Sequence, residues 1–139
     1  MKQHSATLAI RTRGPGLVDI TAEVARFVAQ SAIREGLLTL FIRHTSASLL
    51  VQENADPDVL TDLEGFMRRT VSRDPGLYRH TTEGPDDMPA HIRSALTQTS
   101  LSIPVSDGRM VLGTWQAIYV FEHRDRGHVR EVAAHVMGE

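Results

Sequence analysis

The chain predicts an α+β domain on three observations. Apolar and polar residues alternate near both ends, two amphipathic helical patterns lie in the first half, and a segment punctuated by Gly and Pro follows that neither a long helix nor a central strand can cross. A length of 139 residues suits one domain spanning 1–139, long enough to bury a core without disulfides.

Gln3 to Arg13 alternates, with Ala6, Leu8 and Ile10 on one face and Thr7, Ala9 and Arg11 on the other, as a half-buried strand requires. Gly14-Pro15-Gly16 turns the chain. A helix is expected next, capped by Thr21, with Val24, Phe27, Val28 and Ala32 at three- and four-residue spacing and Gly36 to end it. Leu37 to Arg43 is almost continuously apolar, which suggests a strand buried on both faces, and after His44-Thr45-Ser46-Ala47-Ser48 the same strand is expected to continue through Leu49-Leu50-Val51.

Asp56-Pro57-Asp58 is a strong helix start: a capping carboxylate, a proline at the first helical position and a further acid in the first turn. Val59, Leu60, Leu63, Met67 and Val71 form the buried stripe of that helix, and Asp74-Pro75-Gly76 stops it. Met88-Pro89 opens a short helix with Ile92, Ala95 and Leu96 on its apolar side and His91 in its first turn. Leu101, Ile103 and Val105 alternate with polar residues and Pro104, and Asp107-Gly108 signals a hairpin. An extended run from Met110 to His123 and a last strand from Val129 to Met137 close the chain.

The formal net charge is −2 and the arginines are interspersed with acids, so neither nucleic acid nor an anionic membrane is an expected partner. No cysteine is present, which confines any transition-metal site to His, Asp and Glu. With no apolar leader and no long apolar run, the expected location is cytoplasmic.

Site-like chemistry concentrates between His80 and His91, where two imidazoles and three carboxylates (Glu83, Asp86, Asp87) share one constrained segment. The same acids and Gly-Pro steps are also ordinary turn residues. His44, heading a run of small hydroxyl residues after a buried strand, fits a pocket floor or equally a polar strand end bonded to a nearby carbonyl. Gly113, inside the last extended run, permits close approach by a ligand or another chain.

Taken together, His44-Thr45-Ser46-Ala47-Ser48, Glu53 to Val59, Tyr78-Arg79-His80, Glu83 to His91, Leu112 to Gln116 and Glu122-His123-Arg124 resemble the YjbQ family, also called UPF0047 and labelled secondary thiamine-phosphate synthase. The resemblance implies a sandwich of mostly antiparallel sheets with two longer helices and one short helix packed against them, and a homotrimer with sites near subunit interfaces. It implies a divalent metal held by His44, His80 and His91, with zinc as the first expectation and magnesium the alternative beside a phosphate substrate. Catalytic roles fall on Glu53, Asp86, His91 and Arg124. Contacts to a phosphorylated or other anionic small molecule fall on Thr45, Ser46, Asn54, Asp87, Gly113, Trp115, Gln116 and Arg130. The implied reaction joins a pyrimidine pyrophosphate to a thiazole phosphate, releasing pyrophosphate; the alternative is a non-catalytic trimer that binds a metal or an anion. Two positions depart from the family pattern: Asp87, often asparagine, and His123, often less polar.

Overall fold

The computed structural model describes residues 1–139 and consists of two antiparallel sheets and three α-helices. The strands are β1 (Lys2–Arg11), β2 (Gly16–Asp19), β3 (Gly36–Ile42), β4 (Ala47–Glu53), β5 (Ser100–Ser106), β6 (Arg109–Met110), β7 (Gln116–Glu122) and β8 (Val129–Gly138). The helices are α1 (Thr21–Ser31), α2 (Pro57–Thr70) and α3 (Asp87–Leu96), with a 3-10 turn at Pro75–Leu77. The larger sheet has the order β1-β8-β3-β5-β6 and the smaller one β2-β7-β4. This α+β arrangement is the expected class. No helix is long and apolar enough to cross a membrane.

One continuous core lies between the inner face of the larger sheet (Leu38, Leu40, Ile42, Ile103, Val132, Val136), the α1 side chains Val24, Phe27 and Val28, and Leu49, Ile118 and Val120 of the smaller sheet. α2 and α3 pack on the smaller sheet. Each helix follows from local signals. The Asp56 side chain accepts from the Asp58 N–H at 2.9 Å with Pro57 at the first position, as the sequence predicts for α2. α1 departs from its prediction at both ends. Thr21 is its first residue and not its cap: the Thr21 N–H donates to Asp19 Oδ1, while its hydroxyl accepts from Ile118 N–H. The helix ends at Ala32, which adopts a left-handed φ of 58°, rather than at Gly36.

Three strand assignments also change. β3 is buried on one face only: Leu38, Leu40 and Ile42 point into the core, while Leu37 and Phe41 are 43% and 48% exposed, because nothing in the chain covers the outer face of the larger sheet. β3 and β4 are separate strands in different sheets, and the chain crosses between them at Arg43 to Ser46. The predicted run from Met110 to His123 is strand only at Arg109–Met110 and Gln116–Glu122; Gly113 to Gln116 is instead a turn, closed by the Gly113 N–H donating to Gln116 Oε1 at 2.7 Å.

Gly36 serves the larger sheet. A Cβ there would lie 2.2 Å from the Met137 carbonyl oxygen of β8, so only glycine lets the two backbones meet. Gly36→Ala is expected to lower the unfolding free energy by roughly 1–3 kcal/mol, an overpacking effect read by urea denaturation.

Candidate metal centre

Two of the connections between the sheets pass the same end of the molecule. The first is Arg43 to Ser46, and the second runs from the end of β7 at Glu122 to the start of β8 at Val129. A buried ion pair staples them. Arg130 donates from Nε to Glu122 Oε1 at 2.8 Å and from Nη2 to Glu122 Oε2, while Nη2 also donates to the Ser46 carbonyl (3.2 Å) and hydroxyl (3.0 Å). Thr12 adds a hydroxyl bond to Glu122 Oε1 at 2.6 Å. Burial alone would raise the Glu122 carboxyl, but the Arg130 and Thr12 hydrogen bonds hold it below the ordinary carboxylate value.

The segment from His80 to Asp87 is docked onto the second connection. Arg124 donates from Nε to Asp86 Oδ2 at 2.8 Å and lies 2.9 Å from Asp87 through Nη1, and the Asp125 N–H also donates to Asp86 at 3.0 Å. Burial pushes the Asp86 carboxyl up, yet the Arg124 bond and the Asp125 N–H outweigh it and hold the value at about 2. α3 starts at Asp87, one residue before the expected Met88, which makes His91 the fifth helical residue and places it one turn along from Asp87 on the same face.

These placements bring His80, Glu83, Asp87 and His91 together, with one ligand atom from each lying within 4.8 Å of the others. Asp87, only 1% exposed, is the hub: its Oδ2 lies 2.6 Å from His80 Nε2 and 3.0 Å from His91 Nε2. Burial alone would raise its carboxyl, but the hydrogen bond with His80 and the nearby His91 and Arg124 lower it. His91 Nδ1 lies 2.9 Å from the Thr45 carbonyl, which can only accept, so Nδ1 carries the proton. In the neutral ring Nε2 then presents a lone pair to a carboxylate oxygen, an arrangement that calls for a cation between them or a second proton on the ring. An imidazole held through N–H to a backbone carbonyl, with its other nitrogen free, is how proteins present a histidine to a metal. Two imidazole nitrogens with carboxylate oxygens fit a zinc-like divalent ion better than magnesium, which prefers oxygen alone.

The other expected site residues fall into two groups. His44, Ser46 and Arg130 lie at the stapled end beside Thr45, but His44 does not join the cluster: its Nε2 accepts from the Glu131 N–H at 2.8 Å, which uses the one lone pair a neutral ring offers. Glu53, Asn54, Gly113, Trp115 and Gln116 sit at the opposite end of the smaller sheet, where Glu53 pairs with Gln116 while Ala47 pairs with Glu122. Seven-residue strands put these ends about 20 Å apart, so one chain does not join both groups. There Asn54 Nδ2 donates to the Thr114 carbonyl at 3.0 Å, and Trp115 is 63% exposed. Glu83 was not among the expected ligands, although its three-residue spacing from His80 was the available signal.

The family described as UPF0047 protein YjbQ-like matches residues 6–139. The chain belongs to the YjbQ/UPF0047 family. It is 55% identical over 138 residues to the UPF0047 protein sll1880 of Synechocystis sp., covering 99% of this chain and 94% of that protein. It is 46% identical to the UPF0047 protein YjbQ of Escherichia coli O157:H7, covering 99% and 98%. Among solved YjbQ-like folds, a crystal structure of an uncharacterized conserved yjbq/upf0047 family protein from Clostridium acetobutylicum superposes with a TM-score of 0.84 at 31% identity, covering 96% and 99% of the two chains. A conserved hypothetical protein from Thermus thermophilus gives 0.82 at 36%, covering 93% and 97%.

His123 is 1% exposed; its Nε2 lies 2.9 Å from the Ser48 hydroxyl and its Nδ1 has no partner. Burial pushes its value down to about 3. The unfolded chain therefore binds the proton first, so stability is full above about 6.5 and falls as the pH drops from there toward about 3. His123→Leu is expected to flatten that acid limb, measured as unfolding midpoint against pH; an unchanged slope contradicts the assignment.

Proposed function

We propose that the protein is an enzyme that uses a divalent, zinc-like metal to act on an anionic small molecule, with thiamine-phosphate formation as the reaction to test. The observation that carries the reading is the convergence of His80 and His91 on one oxygen of buried Asp87, with the proton of His91 directed away to Thr45. Charge supports it. Glu83, Asp86 and Asp87 face a single guanidinium, Arg124, leaving an excess of two negative charges that a divalent ion balances.

When bound, such an ion supplies a Lewis acid that neutralises charge developing on a leaving group such as pyrophosphate. The chain's own residues do the rest. The Thr45 carbonyl fixes the His91 tautomer and turns Nε2 toward the cluster, and Asp87 holds both imidazoles in place beside it. Arg124 holds Asp86 and Asp87 ionised and anchors the loop that carries His80. Purified protein is expected to take up zinc near one equivalent per chain by elemental analysis, and His91→Ala to lose it; full occupancy in the variant would overturn the ligand set. Thiamine phosphate formed from the two purified precursors above a heat-killed control is the expected activity. Its absence, with a stabilising ligand recovered unchanged, favours the non-catalytic binding reading.

The chain is proposed to assemble as a homotrimer, and its uncovered sheet face supports self-association. The outer residues of β3, β5 and β8 there include Leu37, Phe41, Ala133 and Met137 among small polar side chains. The two separated groups of expected site residues would then be joined only between copies. Phe41→Glu should shift the mass measured by light scattering from trimer to single chain; a wild-type chain that is already monomeric contradicts the assembly.

A further inference from the structure

The hydrogen-bond polarity around His44 does not close within the chain. The Glu131 N–H can only donate, and it meets His44 Nε2 at 2.8 Å, so the lone pair of the neutral ring is there and its proton is on Nδ1. Yet Nη1 of Arg130, also a pure donor, points at that same Nδ1 from 3.4 Å. Turning the ring over would put carbons at both contacts. Choosing the other tautomer would press two N–H groups together at the shorter distance. The remaining arrangement has the Arg130 Nη1–H facing the His44 Nδ1–H at 3.4 Å between the nitrogens, two donors with no acceptor between them.

Arg130 cannot retreat from this encounter. It is 4% exposed, its Nε and Nη2 are fixed on Glu122, and Nη2 is fixed again on both oxygens of Ser46. His44 is half-buried and is held by a backbone bond, so its Nδ1 edge stays turned toward the guanidinium. The next residue, Thr45, supplies the carbonyl that orients His91. The donor pair therefore adjoins the metal cluster along the chain.

We infer that His44 Nδ1–H and Arg130 Nη1 form a two-donor cradle for an oxyanion of the ligand, a phosphate or carboxylate oxygen, and that His44 serves as a hydrogen-bond donor and not as a metal ligand. The cradle deepens the proposed function and rests on it in one respect, that the oxyanion belongs to the molecule acted on at the metal cluster. Ionised acceptors make the shorter and stronger hydrogen bonds, and a preset pair of donors binds them without reorganisation.

Long-range nitrogen–proton NMR of the histidine rings tests it, on metal-free protein and again with one equivalent of zinc. His44 is expected as the Nδ1–H tautomer, with its resonances moving on titration with inorganic phosphate and pyrophosphate; a response to acetate alone assigns the cradle to a carboxylate. His44→Phe is expected to weaken binding of the responding anion at least tenfold while zinc uptake stays unchanged, and Arg130→Lys, which keeps the charge but loses the fork, to weaken it similarly. An Nε2–H tautomer, no response in either preparation, or wild-type affinity in His44→Phe overturns the cradle. A protein that takes no zinc but binds pyrophosphate through His44 overturns the metal reading alone, whereas one that takes zinc and leaves His44 unmoved overturns the cradle alone.

Discussion

The Glu122–Arg130 pair is the constraint on which the rest of the molecule depends. It joins β7 of one sheet to β8 of the other, reaches Thr12 just beyond β1, and holds the Ser46 backbone where the chain crosses from β3 to β4. Burying two charges is costly, and their attraction offsets that cost only when geometry is good and the remaining donors and acceptors are used. Here both carboxylate oxygens are bonded and the guanidinium has few N–H groups left over. An apolar pair of equal volume could pack as well, but it would not fix Ser46, nor set the orientation of the one guanidinium nitrogen that faces His44. The ion pair contributes position more than net stability.

Everything that looks functional hangs from the two connections this pair staples together. Arg124 lies two residues beyond Glu122 and draws in Asp86 and Asp87; Thr45, one residue before Ser46, orients His91. The loop containing His80 is thereby tied to the scaffold at several points. Arg73, beyond the end of α2, adds a two-bond contact with Asp125 at 2.8 and 2.7 Å, which links that helix to the same loop. Loops held in this way present side chains with the accuracy of regular elements while keeping those side chains open to a ligand.

Much of the fold was legible because its signals are local. Asp56-Pro57-Asp58 opened α2, and alternation fixed β1, β5 and β8, since caps and periodicity act within a few residues. What the sequence did not reveal was which sheet a strand joins. Leu37 to Val51 reads as one long apolar strand interrupted by hydroxyl residues, because a strand leaving one sheet and entering another keeps the same side-chain period. Leu37 and Phe41 added to the error, since apolar residues on an uncovered face look like a second buried face. The site followed the same rule. The four-residue spacing of Asp87 and His91 was visible and real, whereas the separation of Glu53 and Trp115 from them depends on strand direction in the folded sheet. Family resemblance supplied the order of motifs and the sandwich arrangement, but motif order carries no hydrogen-bond polarity, and polarity separates His44 from His91.

That polarity also bears on how an anion would be bound beside an acidic cluster. Around Asp87 the carboxylates outnumber the guanidinium, and a divalent ion would bring the cluster near neutrality. At the other end of the same short segment, the charge of Arg130 is already neutralised by Glu122, so the His44–Arg130 pair has little net positive charge to offer. Its attraction for an oxyanion must come from the fixed dipoles of two N–H groups left without an acceptor. Fixed dipoles lose nothing to reorganisation and are screened less by salt than a surface charge would be. A ligand spanning both features would be selected by the direction of its oxygen lone pairs and not by charge alone, and this favours a small, rigidly held anion over a diffuse polyanion such as nucleic acid.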